Sequence, residues 1–550
     1  MLKKTALLLL LFAAPALYAA DRPDLVVVIS IDQFRYDYLT RFQPYFGPDG
    51  FRRFLDHGAD FTRALYPYAN TVTGAGHTSI GTGYTPSQSG VLGDEWFDRL
   101  SGKPEYCMAD PHVAGGVSPV NIQTDALGDR DQESDPGAKV YGVAIKDRAA
   151  IPMAGRKATC AYWFDGKKNA FTTSSYYVAD ATMLDAFNVT LPAYLEAHPV
   201  WDESSFIPAA DLQELTHDPE ALRKFKTNGA GLGVSFPHPI HSLVALTDTP
   251  FGNGLVIGLA EKVIDSEVLG APDGTPDLLF VGLSSQDYLG HFFGPDSLEA
   301  ADSVVRTDRD LAAFFEFLDR HFGERYTLVL TADHGVQSIP EVARDMGRAA
   351  GRVSMRNPGR DMKTFGDLAK IAPARVEIEK RVAATFGRRV TDRTPLTDAF
   401  ILEYEEGVYL NWDHIHALEL DGERVKRAVR DAALKLPGVS AAFTNSQLLA
   451  SPQHPSAVEM AVRRSFRADR SGDVIITLKP GYIWDYNGTG TTHGQPVEDD
   501  QHVPLLFWGR GIEPGHYDGA AAPTDIARTV GHLLGFVAGA DDSQSLPCVK

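Results

Sequence analysis

Cysteine is scarce in this chain: Cys107, Cys160 and Cys548 are the only three among 550 residues. Three scattered thiols are too few for a thiolate zinc site, so a bound metal is expected to rest on His and Asp. In an oxidising compartment one pair could close a disulfide and leave one thiol free, and the sequence does not choose the pair. Positive charge is also short. Lys and Arg number 52 against 72 Asp and Glu, a formal net charge of −20, which argues against nonspecific association with nucleic acid or with anionic membranes. It does not exclude a phosphate-bearing substrate, because a few cations at one site outweigh a diffuse surface charge. Membrane-length apolar runs are missing too. The run from Ala6 to Ala14 falls far short of the roughly 20 residues a bilayer crossing needs, and no later stretch comes near that length. That run follows Lys3 and Lys4 and ends toward the small residues Ala19 and Ala20, so residues 1–20 read as a secretory signal peptide. The mature chain is expected in a periplasm or the medium, without a membrane anchor, and no Cys stands beside the cleavage point to accept a lipid.

What is present fits a large core. Hydrophobic residues make up 44% of the chain and glycines number 50, enough for one big domain with insertions or for two. DLVVVISIDQFR carries a β-branched run from Leu25 to Ile31, as expected for a strand buried on both faces of a parallel sheet, and it runs into Asp32. DLLFVGLSS from Asp277 and YTLVLTADHG from Tyr326 repeat the pattern. Between them a helix is predicted to open on a capping box of Asp296 and Glu299 and to carry Leu298, Val304, Val305, Leu311, Phe315 and Leu318 on its apolar face. Strand, helix and strand with short connections predict an α/β fold with a mostly parallel sheet. The stretch at about 95–245 reads as a large insertion over the sheet edge, and about 345–480 as a smaller α+β lobe, all within one catalytic domain at 21–550.

In such sheets reactive groups collect beyond the carboxyl ends of the strands. Asp32 stands there, as do Asp287 and His291 in SSQDYLGH and Asp333 and His334 in TADHG; His493 sits in the glycine-bearing TTHGQP. Three carboxylates and three imidazoles are too many for one open tetrahedral zinc site and about right for two. Two metals can hold the attacking and the leaving oxygen of an in-line phosphoryl displacement. Singly, each cluster reads equally well as a loop cap or a satisfied polar pair; their coincidence at strand ends is what points to a site.

A fifth cluster, YANTVTGAGHTSIGTG, packs hydroxyls and glycines ahead of a helix predicted at Ala75 to Thr82. A hydroxyl at a helix N-terminus meets backbone N–H groups and a dipole that favour an incoming anion, and metal coordination would make it a nucleophile. The alternative is that Thr73 only caps the helix. His77, inside the helix, reads as structural.

Taken together, T-x-T-x-x-G-H, D-x-x-x-H, A-D-H-G and T-H-G followed by HVPLLFWG resemble the alkaline phosphatase superfamily over nearly the whole mature chain. More narrowly they are similar to its type I phosphodiesterase/nucleotide pyrophosphatase-like branch and to the threonine-nucleophile bacterial alkaline phosphatases of the phosphate-irrepressible type. The resemblance implies Thr73 as nucleophile, one Zn2+ on Asp287, His291 and His493, and a second on Asp32, Asp333, His334 and Thr73. AIKDRAAI resembles the K-x-R signature of those phosphatases, which implies that Lys146 and Arg148 contact the non-bridging oxygens of a monoester dianion. One position departs: where the family carries an Asn beside the phosphoryl group, GDEWFD places Asp94. An ionised Asp94 is expected to pair with Lys146 or Arg148 rather than face the phosphate.

The expected activity is hydrolysis of small phosphate monoesters through a phosphothreonine intermediate. A phosphodiesterase on the same scaffold is the alternative, and a catalytically dead homologue that keeps the fold is the rival from another class. The C/S-x-P-x-R motif of the superfamily's sulfatases is absent.

Overall fold

The structure, a computed structural model, describes residues 22–177, 180–451 and 453–550. The predicted signal peptide lies outside the described residues. Among the described residues no helix is long and apolar enough to cross a membrane.

Nine strands form the main sheet: β1 (Leu25–Ile31), β2 (Ala59–Phe61), β3 (Val140–Ala144), β4 (Cys160–Asp165), β5 (Ala170–Thr172), β6 (Asp277–Leu283), β7 (Tyr326–Thr331), β8 (Leu505–Gly509) and β9 (Gly515–Tyr517). Their order is β9-β2-β8-β7-β1-β6-β3-β4-β5. The central run from β7 to β4 is parallel, while β8 against β7, β2 against β8 and β5 against β4 are antiparallel. Every residue of β1, β6 and β7 is buried, which explains their unbroken apolar runs. Burying each Val, Leu or Ile side chain there stabilises the fold by about 1.5–3 kcal/mol.

Register places the site. Ser30 of β1 stands opposite Gly282 of β6 and Thr331 of β7, so three strands end at one level and deliver Asp32, Asp287 and Asp333 to the same edge. Five helices matter around this sheet: α1 (Thr73–Thr82), α2 (Asp147–Ala154), α3 (Phe251–Glu267), α4 (Ser285–Phe293) and α5 (Leu298–Phe322). α5 is the helix expected between β6 and β7, but its cap is Ser297, whose side chain accepts from Ala300 N, rather than Asp296. Asp296 stands one residue too early for the first free N–H groups. β3, β4 and β5 all come from the stretch read as an insertion, so part of it builds the sheet itself. Their runs are short and interrupted by Gly142 and by aromatics, a weaker strand signal than LVVVISI.

Between β7 and β8 the chain builds a four-stranded antiparallel sheet from Ile401–Tyr404, Val408–Leu410, Val474–Leu478 and Val439–Thr444, in that order. The helices Pro373–Thr385 and Gly422–Ala433 pack on it around a separate apolar core that includes Ile378, Val382, Val425 and Val429. Cys107, Cys160 and Cys548 are all free and buried.

Candidate active site

α1 begins at Thr73, two residues before the predicted start, and its cap position is Val72, which offers no side-chain bond. Thr73 therefore does not cap the helix. It is the first helical residue, and its Oγ1 lies 3.4 Å from Lys146 Nζ. A Cβ at Gly76 would stand 2.3 Å from the Asp333 carbonyl oxygen, so only glycine lets α1 rest against the end of β7.

Two groups of metal-type donors form around this helix start, Asp32, His77 and Asp333 in one and Asp287, His334 and His493 in the other, each with ligand atoms within 4.8 Å of one another. His291 joins the second group, its Nε2 lying 3.3 Å from Asp287 Oδ1. His334 lies between the groups, with Nε2 3.1 Å from Asp333 Oδ2 and its ring stacked on His493 at 3.5 Å between centroids.

Each of the three expected imidazole ligands is oriented by a backbone carbonyl. Nδ1 of His291 meets Thr491 O at 2.8 Å, Nδ1 of His334 meets Gly335 O at 3.0 Å, and Nδ1 of His493 meets Thr71 O at 2.8 Å. A carbonyl only accepts, so each Nδ1 carries a hydrogen, and Nε2 is the nitrogen left to bind a metal once it holds no proton, the arrangement that metal-ligating histidines adopt. Asp32 and Asp333 are fully buried among cationic partners: Oδ1 and Oδ2 of Asp32 lie 3.1 Å from His77 Nε2 and 3.0 Å from Lys146 Nζ, and Oδ2 of Asp333 lies 3.1 Å from His334 Nε2. The donor set of imidazole and carboxylate suits zinc.

Lys146 crosses between the groups. Its Nζ donates to Asp287 Oδ2 at 2.5 Å and pairs with Asp32 Oδ2 at 3.0 Å. Burial alone would discharge Lys146, but Asp287 and Asp32 outweigh it and hold the ammonium well above the ordinary lysine range. Burial likewise works to depress His334, yet Asp333 and then Asp287 raise it to about 9. Burial and the neighbouring His334 push His493 down to about 4, so the stacked pair is built to carry one proton rather than two.

Asp94 faces two donors. Its Oδ1 accepts from Gly74 N at 2.7 Å, and its Oδ2 lies 2.9 Å from Arg148 Nε. Burial works to raise its carboxyl, but Arg148, the Gly74 N–H and Lys146 bring it below the ordinary carboxylate range. The ion pair expected from the sequence is formed, with Arg148 as the partner.

A model of the type I phosphodiesterase / nucleotide pyrophosphatase family matches residues 26–500. The chain belongs to that family. It is 34% identical over 535 residues to alkaline phosphatase PafA of Elizabethkingia meningoseptica, covering 94% of this chain and 92% of that protein. It is 33% identical over 533 residues to alkaline phosphatase PhoV of Synechococcus elongatus, covering 93% and 90%. A crystal structure of wild-type PafA superimposes with a TM-score of 0.83 at 30% identity, covering 96% of this chain and 99% of that one. The fold is therefore the alkaline phosphatase-like α/β fold.

Two polar residues of this family member escaped the sequence reading. Gln33 donates from its backbone N to Asp333 Oδ1 at 3.0 Å and from Nε2 to Asp287 Oδ1 at 2.7 Å, so one residue, through backbone and side chain, fixes carboxylates of both groups. Its φ of 60° puts a non-glycine residue in the left-handed region directly after Asp32. His77, read as structural, lies with Nε2 3.1 Å from Asp32 Oδ1 and Nδ1 3.3 Å from Asp333 Oδ2. The available signal was its helical spacing: one turn after Thr73, it shares Thr73's face.

Proposed function

We propose that the chain is an exported, zinc-dependent phosphate monoesterase with Thr73 as nucleophile. The observation that carries this reading is the convergence of Asp32, Asp287, Asp333, His334 and His493 on a helix-start threonine with Lys146 beside it. The names of PafA and PhoV, both alkaline phosphatases, support it.

In this reading Asp287, His291 and His493 hold one Zn2+, and Asp32, Asp333 and His334 hold another together with Thr73. Bound zinc supplies positive charge that lowers the pKa of the Thr73 hydroxyl and offsets charge on the leaving oxygen. The α1 N-terminus and Lys146 orient the phosphoryl group so that Thr73 Oγ attacks phosphorus opposite the ester oxygen. The P–O ester bond breaks as the Oγ–P bond forms, the alcohol departs, and water then cleaves the phosphothreonine to inorganic phosphate. Arg148, held by Asp94, reaches the same oxygens once the substrate dianion competes for it.

A phosphodiesterase is the second reading, favoured by one feature: Asp94 partly neutralises Arg148 and so weakens the charge that a dianion demands. Initial rates on p-nitrophenyl phosphate and on bis-p-nitrophenyl phosphate, with metal content measured on the same preparation, decide between them. Faster diester turnover overturns the monoesterase reading, and no turnover with zinc supplied returns the chain to a binding role.

A further inference from the structure

The small lobe sends one hairpin tip to the catalytic layer. Between Ile401–Tyr404 and Val408–Leu410 the chain turns through Glu405, Glu406 and Gly407. Glu406 reaches Gly93, where an added Cβ would stand 3.1 Å from Glu406 Cγ, and Gly93 directly precedes Asp94. The tip thus lies beside the phosphoryl end of the site. Behind it opens a solvent-facing cleft of about 190 Å³, walled by Tyr404, Trp484 and Tyr486. Tyr404 and Trp484 meet edge to face at 5.1 Å, and Tyr486 is 56% exposed. The segment bearing Trp484 and Tyr486 runs on to His493, so cleft and metal ligands share one stretch of chain.

The polar lining is unbalanced. Glu405, Glu406 and Asp485 stand against Arg356. Asp485 is already paired, to Arg352 Nη1 at 3.6 Å, whereas neither Glu405 nor Glu406 makes a salt bridge among the described residues; burial and neighbouring carboxylates raise Glu405 to about 7 and Glu406 to about 8, so both are charged at alkaline pH, where the test is run. Aromatic walls with uncompensated carboxylates attract an organic cation through ring faces and through charge together, and they repel a leaving group that brings a second anion.

Resting on the monoesterase reading, we propose that this cleft is a leaving-group subsite for a cationic alcohol, so that the preferred substrates are phosphate monoesters of amino alcohols. The phosphoryl dianion sits at Thr73 and Lys146. The ammonium, a few bonds further out, sits between Glu405, Glu406 and the ring of Tyr486.

The test is a comparison of kcat/KM for ethanolamine phosphate, choline phosphate, glycerol 3-phosphate and 3-phosphoglycerate, with p-nitrophenyl phosphate as the reading of basic phosphatase activity. The two cationic esters should exceed glycerol 3-phosphate by about tenfold, and 3-phosphoglycerate should be the poorest of the set. In Glu405→Gln/Glu406→Gln the ratio of cationic to neutral ester should collapse toward one, mainly through KM. Equal kcat/KM for ethanolamine phosphate and glycerol 3-phosphate in the unmodified protein, with p-nitrophenyl phosphate turned over, overturns the subsite and leaves the monoesterase reading standing. A ratio that survives the double substitution also overturns it. Absence of turnover on every ester, p-nitrophenyl phosphate included, overturns both.

Discussion

Arg148 Nε stands 2.9 Å from Asp94 Oδ2, while the other oxygen of Asp94 takes the Gly74 N–H. The carboxylate thus occupies a cation and a helix-start donor that an anionic substrate would also use. Two charges about 4 Å apart at an effective dielectric near 20 interact by about 4 kcal/mol, so an unpaired Asp94 facing the phosphoryl group would be badly placed.

Asp94→Asn should therefore keep or raise monoester kcat/KM. Because the folded carboxyl lies below its ordinary value, Asp94 stays ionised from mildly acidic to alkaline pH, and the stability it lends is present there and lost only as pH falls through that depressed value. The ratio of variant to unmodified pH profiles should be flat across that range. A ratio that climbs steeply with pH would show a protonated Asp94 acting as donor instead.

Thr73→Ala should lose nearly all turnover while still binding inorganic phosphate and about two zinc ions, since the remaining ligands stay in place. Metal analysis and phosphate titration of the purified variant check this. Substantial residual activity would move the nucleophile to Thr71 or Thr78.

Stripping the metal should abolish activity and lower the melting temperature, because a metal held only by the folded chain stabilises it by mass action. Zinc should restore both. A melting temperature indifferent to a chelator would refute the two-metal arrangement independently of any rate.

The strands that carry the site were legible because β1, β6 and β7 are buried on both faces and so read as unbroken apolar runs, each followed by Asp or His. The hydroxyl and metal-type residues expected at the site do meet at one edge. The contacts of His77 and Gln33 were not legible, although His77 closes the T-x-T-x-x-G-H motif and Gln33 follows Asp32, because both are made with residues more than 40 positions away. Of the sheet strands inside the stretch 95–245, β3 and β5 were hidden by their shortness, at five and three residues. The Asp94–Arg148 pair was legible only as a choice between two cations: Lys146 proved to be committed to Asp287 and Asp32, which leaves Arg148.

Replacing Lys146 and Arg148 together by Ala should cost monoester kcat/KM several kcal/mol, at roughly 3 kcal/mol for each charge-stabilising donor removed. Diester turnover should fall much less, because a diester monoanion presents less charge to the same groups. Equal losses on a nitrophenyl monoester and its diester would make the pair structural, a role compatible with the burial of Lys146 between two carboxylates.

Gly76→Ala tests whether helix placement, and not only side-chain chemistry, sets the rate. The added Cβ would stand 2.3 Å from Asp333 O and 2.7 Å from Asp333 Cβ, and backbone at the end of a buried strand cannot yield as a flexible side chain would. α1 must then shift away from β7 and carry Thr73 with it. Overpacking of this kind costs about 1–3 kcal/mol of stability, and a displacement near 1 Å at a reacting atom costs about 100-fold in rate. The expected outcome is a folded, moderately destabilised protein whose kcat falls about 100-fold. Gly519→Ala, where an added Cβ meets nothing within 4 Å, serves as the control and should change neither melting temperature nor kcat appreciably. If Gly76→Ala loses stability but keeps its kcat, the position of Thr73 is not fixed by the contact of α1 with Asp333.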